Sequence, residues 1–251
     1  MKIAVISFSG NVGKTTIARH LLAPRIAGAK LVSIESINAG DSVPEDVIRG
    51  RQFAALQEYL QVADNVLVDI GASNVEDLLM LMSRYRGSHQ DFDFFIVPTV
   101  PATKQQQDTM ATLVALARLG VPSDKVRLVF NMLDEDTDIA NEFRPLLAFI
   151  EKTSSVRADP ACRLNSNEIY GLVNATGVEI SALADDTTNF KALIAATGSS
   201  DERIALARRL ALQRLARGVV PALDACFRAL SIGPAASAQT AQTAQTAQTA
   251  V

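Results

Sequence analysis

The stretch Phe8-Ser9-Gly10-Asn11-Val12-Gly13-Lys14-Thr15-Thr16, "FSGNVGKTT" (8–16), decides how the rest of the chain is read. It follows the apolar, β-branched run "KIAVIS" (2–7), which reads as a strand, and opens "KTTIARHLLA" (14–23), which reads as a helix. Two glycines, a lysine and two threonines at a strand-to-helix junction have the makings of a phosphate cradle. Backbone N–H groups at the start of a helix can surround phosphate oxygens, and glycines permit the tight curl and the close approach of the backbone. Lys14 can then reach the β and γ oxygens of a triphosphate, and the Thr15 hydroxyl can ligate Mg²⁺. The bland alternative is a glycine turn beside a surface lysine. The usual pattern also has a glycine five residues ahead of Gly13, where this chain has Phe8.

Outward from the loop, short apolar runs alternate with helical patterns. "LVSI" (31–34), "NVLVDI" (65–70), "FDFFIVP" (92–98) and "VRLVFN" (126–131) read as strands. Between them, 45–61, 74–85 and a segment within 103–119 read as helices. Strands this short and this apolar are buried on both faces of a parallel sheet. The alternation predicts an α/β fold, a doubly wound, mainly parallel sheet flanked by helices. Ligands bind such sheets at the carboxyl ends of the strands. Past residue 150 the pattern weakens, and 151–186 adds at most a strand or two. Residues 201–230 read as helix, broken or kinked near Gly218 and Pro221. From Pro234 the composition collapses to Ala, Gln, Thr and Ser, with "AQT" four times over at 238–249, which predicts a disordered tail. The expected organisation is a nucleotide-binding domain with C-terminal helices over 1–232 and a low-complexity tail over 233–251.

The 251 residues are 48 % apolar and 20 % charged, ordinary for a globular protein, and the net charge of −3 offers no chain-wide footprint for nucleic acid. Cys162 and Cys226 stand alone, without CxxC spacing or a neighbouring histidine, and read as buried thiols. His20 and His89 lack metal-ligand spacing, and His20, on the helix after the glycine loop, reads as structural. Neither a secretory signal nor an apolar run of about 18 residues is visible, so a cytoplasmic location is expected.

The loop "SGNVGKTT" (9–16) resembles the "KGGVGKTT" loop of the ParA/MinD group of deviant Walker A ATPases. Gly10, Val12, Gly13, Lys14, Thr15 and Thr16 match; Asn11 replaces the second glycine, and Ser9 stands at the signature lysine. Members of that group often lack the distant first glycine, which lessens the objection from Phe8. The opening "MKIAVISFSGNVGKTTIARHLLAPR" is similar, more particularly, to the plasmid StbB proteins, a ParA-like branch found beside plasmid stability genes. The likeness is specific over about 1–135 and general beyond. It implies ATP and Mg²⁺ as cofactors and a nucleotide-dependent homodimer with a DNA-binding adaptor encoded nearby. It implies a role in plasmid maintenance, positioning or conjugative transfer. In typical members the signature lysine neutralises phosphate charge on a partner's nucleotide. Ser9 is short and neutral, so slow hydrolysis or a different dimer geometry follows.

Three further segments carry candidate chemistry. "NVLVDIGAS" (65–73) has the form of a Walker B strand, with Asp69 placed to hold Mg²⁺ through water and Gly71 permitting a mobile loop; a plain turn-starting aspartate is the alternative. "LVSIESINAGD" (31–41) aligns loosely with the family's "DxDPQ" segment, so Glu35 falls on the acid that positions the attacking water and Ser33 on the first Asp. A solvated glutamate is the alternative, and Asp41 and Asp46 stand in reserve. "VRLVFNMLDED" (126–136) resembles the strand whose asparagine hydrogen-bonds the purine, a role that falls on Asn131. Asn131 and Asp134 also echo the N-K-x-D pattern of GTPases, with Met132 for the lysine, so ATP and GTP both remain open. In "PTVPATKQQQDTMATL" (98–113) Pro98 and Pro101 end a strand before a helix start; the resemblance places partner- or dimer-contacting residues in this segment, which otherwise reads as a plain β–α connection.

In 201–230 the helical spacing puts Ile204, Leu212, Leu215 and Val219 on one side and Arg203, Arg214 and Arg217 opposite, with Arg208 intruding on the apolar side. This reads as a packed helix with a solvated basic stripe, the alternatives being weak contact with DNA backbone or an anionic membrane surface. Three classes of function follow: a slow ATP-hydrolysing switch, a nucleotide-dependent binding module with little hydrolysis, and a small-molecule kinase, for which no arginine-rich lid is visible.

Overall fold

The computed structural model describes residues 1–34, 45–174 and 178–233. Strand β1 (Lys2–Val5) is apolar on both faces because it lies inside a six-stranded sheet with helices above and below. The other strands are β2 (Lys30–Ile34), β3 (Val66–Ile70), β4 (Phe94–Thr99), β5 (Val126–Leu133) and β6 (Arg163–Asn165). Their order is β2-β3-β1-β4-β5-β6, and every pairing is parallel. From β1 the chain crosses to the edge to build β2 and returns to insert β3 beside β1, then crosses β1 to β4 and moves outward through β5 to β6. A crevice of the kind that binds ligands therefore opens where β1 ends.

Side chains alternate between the two faces with the period of the pleat. Ala4 and Ile6, Val68 and Ile70, and Phe95 and Val97 enter one core. It is completed by α2 (Glu45–Val62), α3 (Val75–Arg84), α4 (Thr103–Leu119) and α6 (Arg144–Thr153). Ile3, Val5, Leu67, Ile96 and Val129 enter the other. That face is covered by the helix after the loop, by α7 (Ile169–Asn174), and by the lower part of α10 (Ser200–Leu230). The short helices α5 (Ile139–Glu142), α8 (Ile180–Asp185) and α9 (Phe190–Ala196) complete the C-terminal part. The helix after the loop begins as α1 (Lys14–Thr16), widens into a π-helical stretch at Ile17–Leu22 and tightens at Ala23–Arg25.

Five strands and the helices up to Leu119 fall where the sequence puts them. The weak region 151–186 supplies one strand, β6, three residues long. Strand β4 includes Pro98, in register with Val129, and ends at Thr99, between the two prolines expected to end it. Helix α10 is unbroken from Ser200 to Leu230, with Pro221 inside it. The missing N–H of Pro221 costs one hydrogen bond to the carbonyl four residues earlier, but Val219, Leu223, Cys226 and Leu230 on either side of it are buried in one core. Ile204 is also not on the buried side: it is 49 % exposed, and the buried stripe is Gln213, Ala216, Val219, Leu223, Cys226 and Leu230. At about 1.5 Å per residue α10 is about 46 Å long, and its first dozen residues contribute nothing to the core. Cys162 and Cys226 are free and buried, as expected. Burial pushes the Cys162 thiol up to about 12 and the Cys226 thiol higher still. The residues from Pro234 onward lie outside the described residues, and no described helix is long and apolar enough to cross a membrane.

Candidate functional site

The loop from Ser7 to Gly13 leaves β1 and delivers the chain to α1. Gly13 takes φ 81°, and Asn11 takes φ 54°, left-handed conformations that curl the backbone around a concavity. Gly13 is needed for a second reason: a Cβ there would lie 2.2 Å from Asn131 Nδ2. The amides of Lys14, Thr15 and Thr16 form the first helical turn, where N–H groups have no partner within the helix. They are the donors that a phosphate cradle requires. The Phe8 ring does not fill this space; it packs against the core on the opposite face.

Lys14 is buried, and its Nζ donates to the Ser9 carbonyl (2.7 Å) and the Ser7 carbonyl (3.3 Å). Burial lowers its pKa from the ordinary lysine value, opposed by the nearby Asp69 carboxylate. A buried cation held mainly by neutral carbonyls is an acceptor of incoming negative charge.

Asp69 reaches the loop because of the pleat. Leu67 faces the α1 side of the sheet, so Asp69, two residues on, does too, while Val68 and Ile70 face the other core. Thr15 Oγ1 donates to Asp69 Oδ2 at 2.6 Å across 54 residues of sequence. Thr15 and Asp69 therefore present two hard oxygen donors side by side. That set suits Mg²⁺, which is commonly held by one or two protein oxygens and completes its shell with phosphates and water. No cluster of three or more His, Cys, Asp or Glu suited to a metal is found among the described residues.

Asn131 reaches the loop by the pleat: Val129 faces the α1 side of the sheet, so Asn131, two residues on, does too, and the strand is irregular beyond it. Phe130 and Leu133 are an odd number of residues apart yet enter the same core, which the register shift between them allows. Met132, between them, takes φ 55° and is left exposed. Asn131 is buried, and its Nδ2 donates to the Val12 carbonyl at 2.9 Å. The residue expected to read the purine thus also holds the loop. Asp134 lies beyond the strand in a turn, its N–H bound to Thr137 Oγ1. Ser33 sits at the carboxyl end of β2, in register with Asp69. Glu35 and Asp41 lie outside the described residues, and of the Asp46 side chain nothing is described.

The other shoulder of the loop is held by α4, which the sequence reading passed over. Phe8 N–H donates to Thr112 Oγ1 (3.1 Å), and Ser9 Oγ donates to Asp108 Oδ2 (2.7 Å). A faint signal was present. The first turns of α4, "TKQQQDTMAT", carry no apolar stripe, yet Gln106, Thr109 and Thr112 are buried at three-residue spacing. A polar stripe facing a core implies specific partners.

The parallel α/β sheet thus carries a glycine loop at the end of an interior strand, a lysine on the first helical turn and a carboxylate from the adjacent strand. No protein-family model matches the chain, and no curated protein does. Among solved structures the chain is similar to apo McdA from Cyanothece, at 16 % identity over 88 % of this chain and 98 % of that one, with a TM-score of 0.48. It is similar also to a Cyanothece McdA variant in complex with ATP, at 16 % identity over 89 % and 96 % of the two chains, with a TM-score of 0.46.

Proposed function

We propose that the chain binds ATP with Mg²⁺ at the 8–16 loop and hydrolyses it slowly, as a nucleotide-dependent switch of the ParA/MinD kind. The observation that carries this reading is the 2.6 Å contact between Thr15 and Asp69, at the foot of a loop whose lysine is buried and poised. The first-turn amides and Lys14 would bind the phosphates, and Thr15 and Asp69 would hold Mg²⁺, which supplies charge neutralisation on the phosphates. Asn131 would stand at the base, and Glu35 is the candidate for orienting water. By the resemblance of its opening residues to StbB proteins, the process served would be plasmid stability, partition or positioning, and conjugative transfer. The partners would be a second copy of the chain and a DNA-binding adaptor. The exposed arginines of α10 would add at most weak contact with DNA or an anionic membrane surface.

The test is equilibrium binding of fluorescent ATP and GTP with Mg²⁺, followed by single-turnover hydrolysis with and without DNA. Lys14→Ala should abolish binding. Glu35→Ala should spare binding and remove turnover, and normal turnover in that variant would show the catalytic assignment to be wrong. Tight binding without measurable turnover in the unaltered chain would select the second reading, a regulatory module whose bound state is itself the signal.

A further inference from the structure

The geometry points to Asp108 as a positioning residue that anchors the entry shoulder of the phosphate loop through the Ser9 hydroxyl. The proposal rests on the loop being a nucleotide site, and deepens that reading.

Ser9 links this carboxylate to the rest of the loop. Ser9 is buried, and its hydroxyl donates to Asp108 Oδ2 at 2.7 Å. Its N–H is received by Ser7 Oγ at 3.2 Å, and its carbonyl receives Lys14 Nζ at 2.7 Å. The place where the phosphate-seeking ammonium waits is thus set by a residue whose side chain is tied to α4. One turn further along that helix, Thr112 donates its hydroxyl proton to the Asp108 carbonyl (2.8 Å), which leaves its lone pairs free to accept the Phe8 N–H. Residues four apart lie on one face of a helix, so Asp108 and Thr112 form a two-point clamp under Phe8 and Ser9.

A hydrogen bond to a carboxylate is about twice as strong as one between neutral groups, and a buried hydroxyl deprived of it has no water to turn to. The neutral, short residue at position 9 therefore has work of its own here: it fixes the loop from within the chain.

The experiment uses the full chain and two readouts. Amide exchange at Phe8 and Ser9 is followed by NMR without nucleotide, and Kd for a fluorescent ATP analogue with Mg²⁺ is measured separately. Ser9→Ala and Asp108→Ala should each accelerate exchange at Phe8 by about tenfold or more, while the amides of β1 and β3 stay protected. Each should raise Kd by the same factor, and the double variant should be no worse than either single one. Asp108→Asn, which keeps an acceptor, and Ser9→Thr, which keeps the hydroxyl, should restore protection at Phe8. Unchanged exchange in both alanine variants, or strictly additive losses, would overturn the anchor even if ATP binds. Faster exchange in a chain that binds no nucleotide would keep the anchor and discard the nucleotide reading.

Discussion

The 8–16 loop and helix α10 are both tied to distant parts of the chain, but by opposite means. The loop is held by single atoms: Ser9 Oγ to Asp108, Thr15 Oγ1 to Asp69, and the Val12 carbonyl to Asn131. Helix α10 is held by apolar area over its lower part, through Val219, Leu223, Cys226 and Leu230, with Arg127 Nε donating to the Leu230 carbonyl at its end. Its upper part, from Ser200 to Leu212, buries no residue. The loop should therefore respond to changes at one atom, whereas α10 should respond in proportion to what is buried.

Gly13→Ala tests the first half of that contrast and should have the largest effect. The left-handed backbone costs a non-glycine residue about 1–2 kcal/mol. The new Cβ also meets Asn131 Nδ2 at 2.2 Å, so the amide must leave the Val12 carbonyl and stand unsatisfied, at about 1–3 kcal/mol. Titration with fluorescent ATP should show binding lost by more than about tenfold in a chain that remains folded by circular dichroism. Binding within threefold of the unaltered chain would break the comparison at its strongest point.

Leu223→Ala tests the second half. The side chain is buried in the core shared with Ile17, Leu21 and Cys226, and such truncations cost about 2–5 kcal/mol. Chemical denaturation should register that loss, and once the population is folded, nucleotide affinity should be unchanged.

The same contrast explains what could be read from the sequence. Apolar, β-branched runs marked five strands, because burial on both faces of a parallel sheet constrains every position in the run. The nearness of the loop and Asp69 was anticipated because both were read as lying at strand ends, and Thr15 Oγ1 does meet Asp69 there. Asp108 was not legible. A carboxylate in a helix looks the same whether it meets water or, as here, a hydroxyl 99 residues away. The tie from Asn131 to Val12 was missed for the same reason: a strand-end asparagine looks the same whether or not it meets a carbonyl 119 residues away. In α10, Gly218 and Pro221 signalled a break or a kink, and the break is absent because the local penalty yielded to burial on either side of Pro221. Ile204 was misplaced because helical periodicity says which residues share a face, not whether anything lies opposite.

Asn131→Ala sharpens the loop side further. It strands the Val12 carbonyl and should cost about 1–3 kcal/mol, divided between stability and nucleotide affinity. Asn131→Asp removes the amide donor at nearly constant volume. It should reproduce the affinity loss if the contact to Val12 matters, and a Kd unchanged in both variants would remove Asn131 from the site.

A smaller effect is expected from His20, which is buried with its ring centroid 6.1 Å from that of Tyr170 on α7. Burial lowers its pKa below 6.5; Asn174 opposes this, Arg19 adds to it, and Glu179 opposes it. The unfolded chain thus takes up the proton before the folded one does. Stability attributable to this group is whole above pH 6.5 and falls as pH drops through 6.5 toward the lowered folded value. Thermal melts at pH 7.5 and 5.5 should show a smaller acid-side loss in His20→Gln than in the unaltered chain, the difference isolating this group from the carboxylates.

The smallest effect should come from Ile204→Ala. A buried isoleucine truncated to alanine costs several kcal/mol, but Ile204 is 49 % exposed on the part of α10 that buries nothing. Alanine is also the better helix former, so the lost contact and the gained propensity oppose one another, and the net change should stay within about 0.5 kcal/mol. Set beside Leu223→Ala on the same helix, the pair measures how far packing extends along α10. If Ile204→Ala destabilised the chain by as much as Leu223→Ala, with the loss growing at higher protein concentration, the upper part of the helix would be covered by a second copy in solution, and the division of α10 into a packed and an unpacked part would fail.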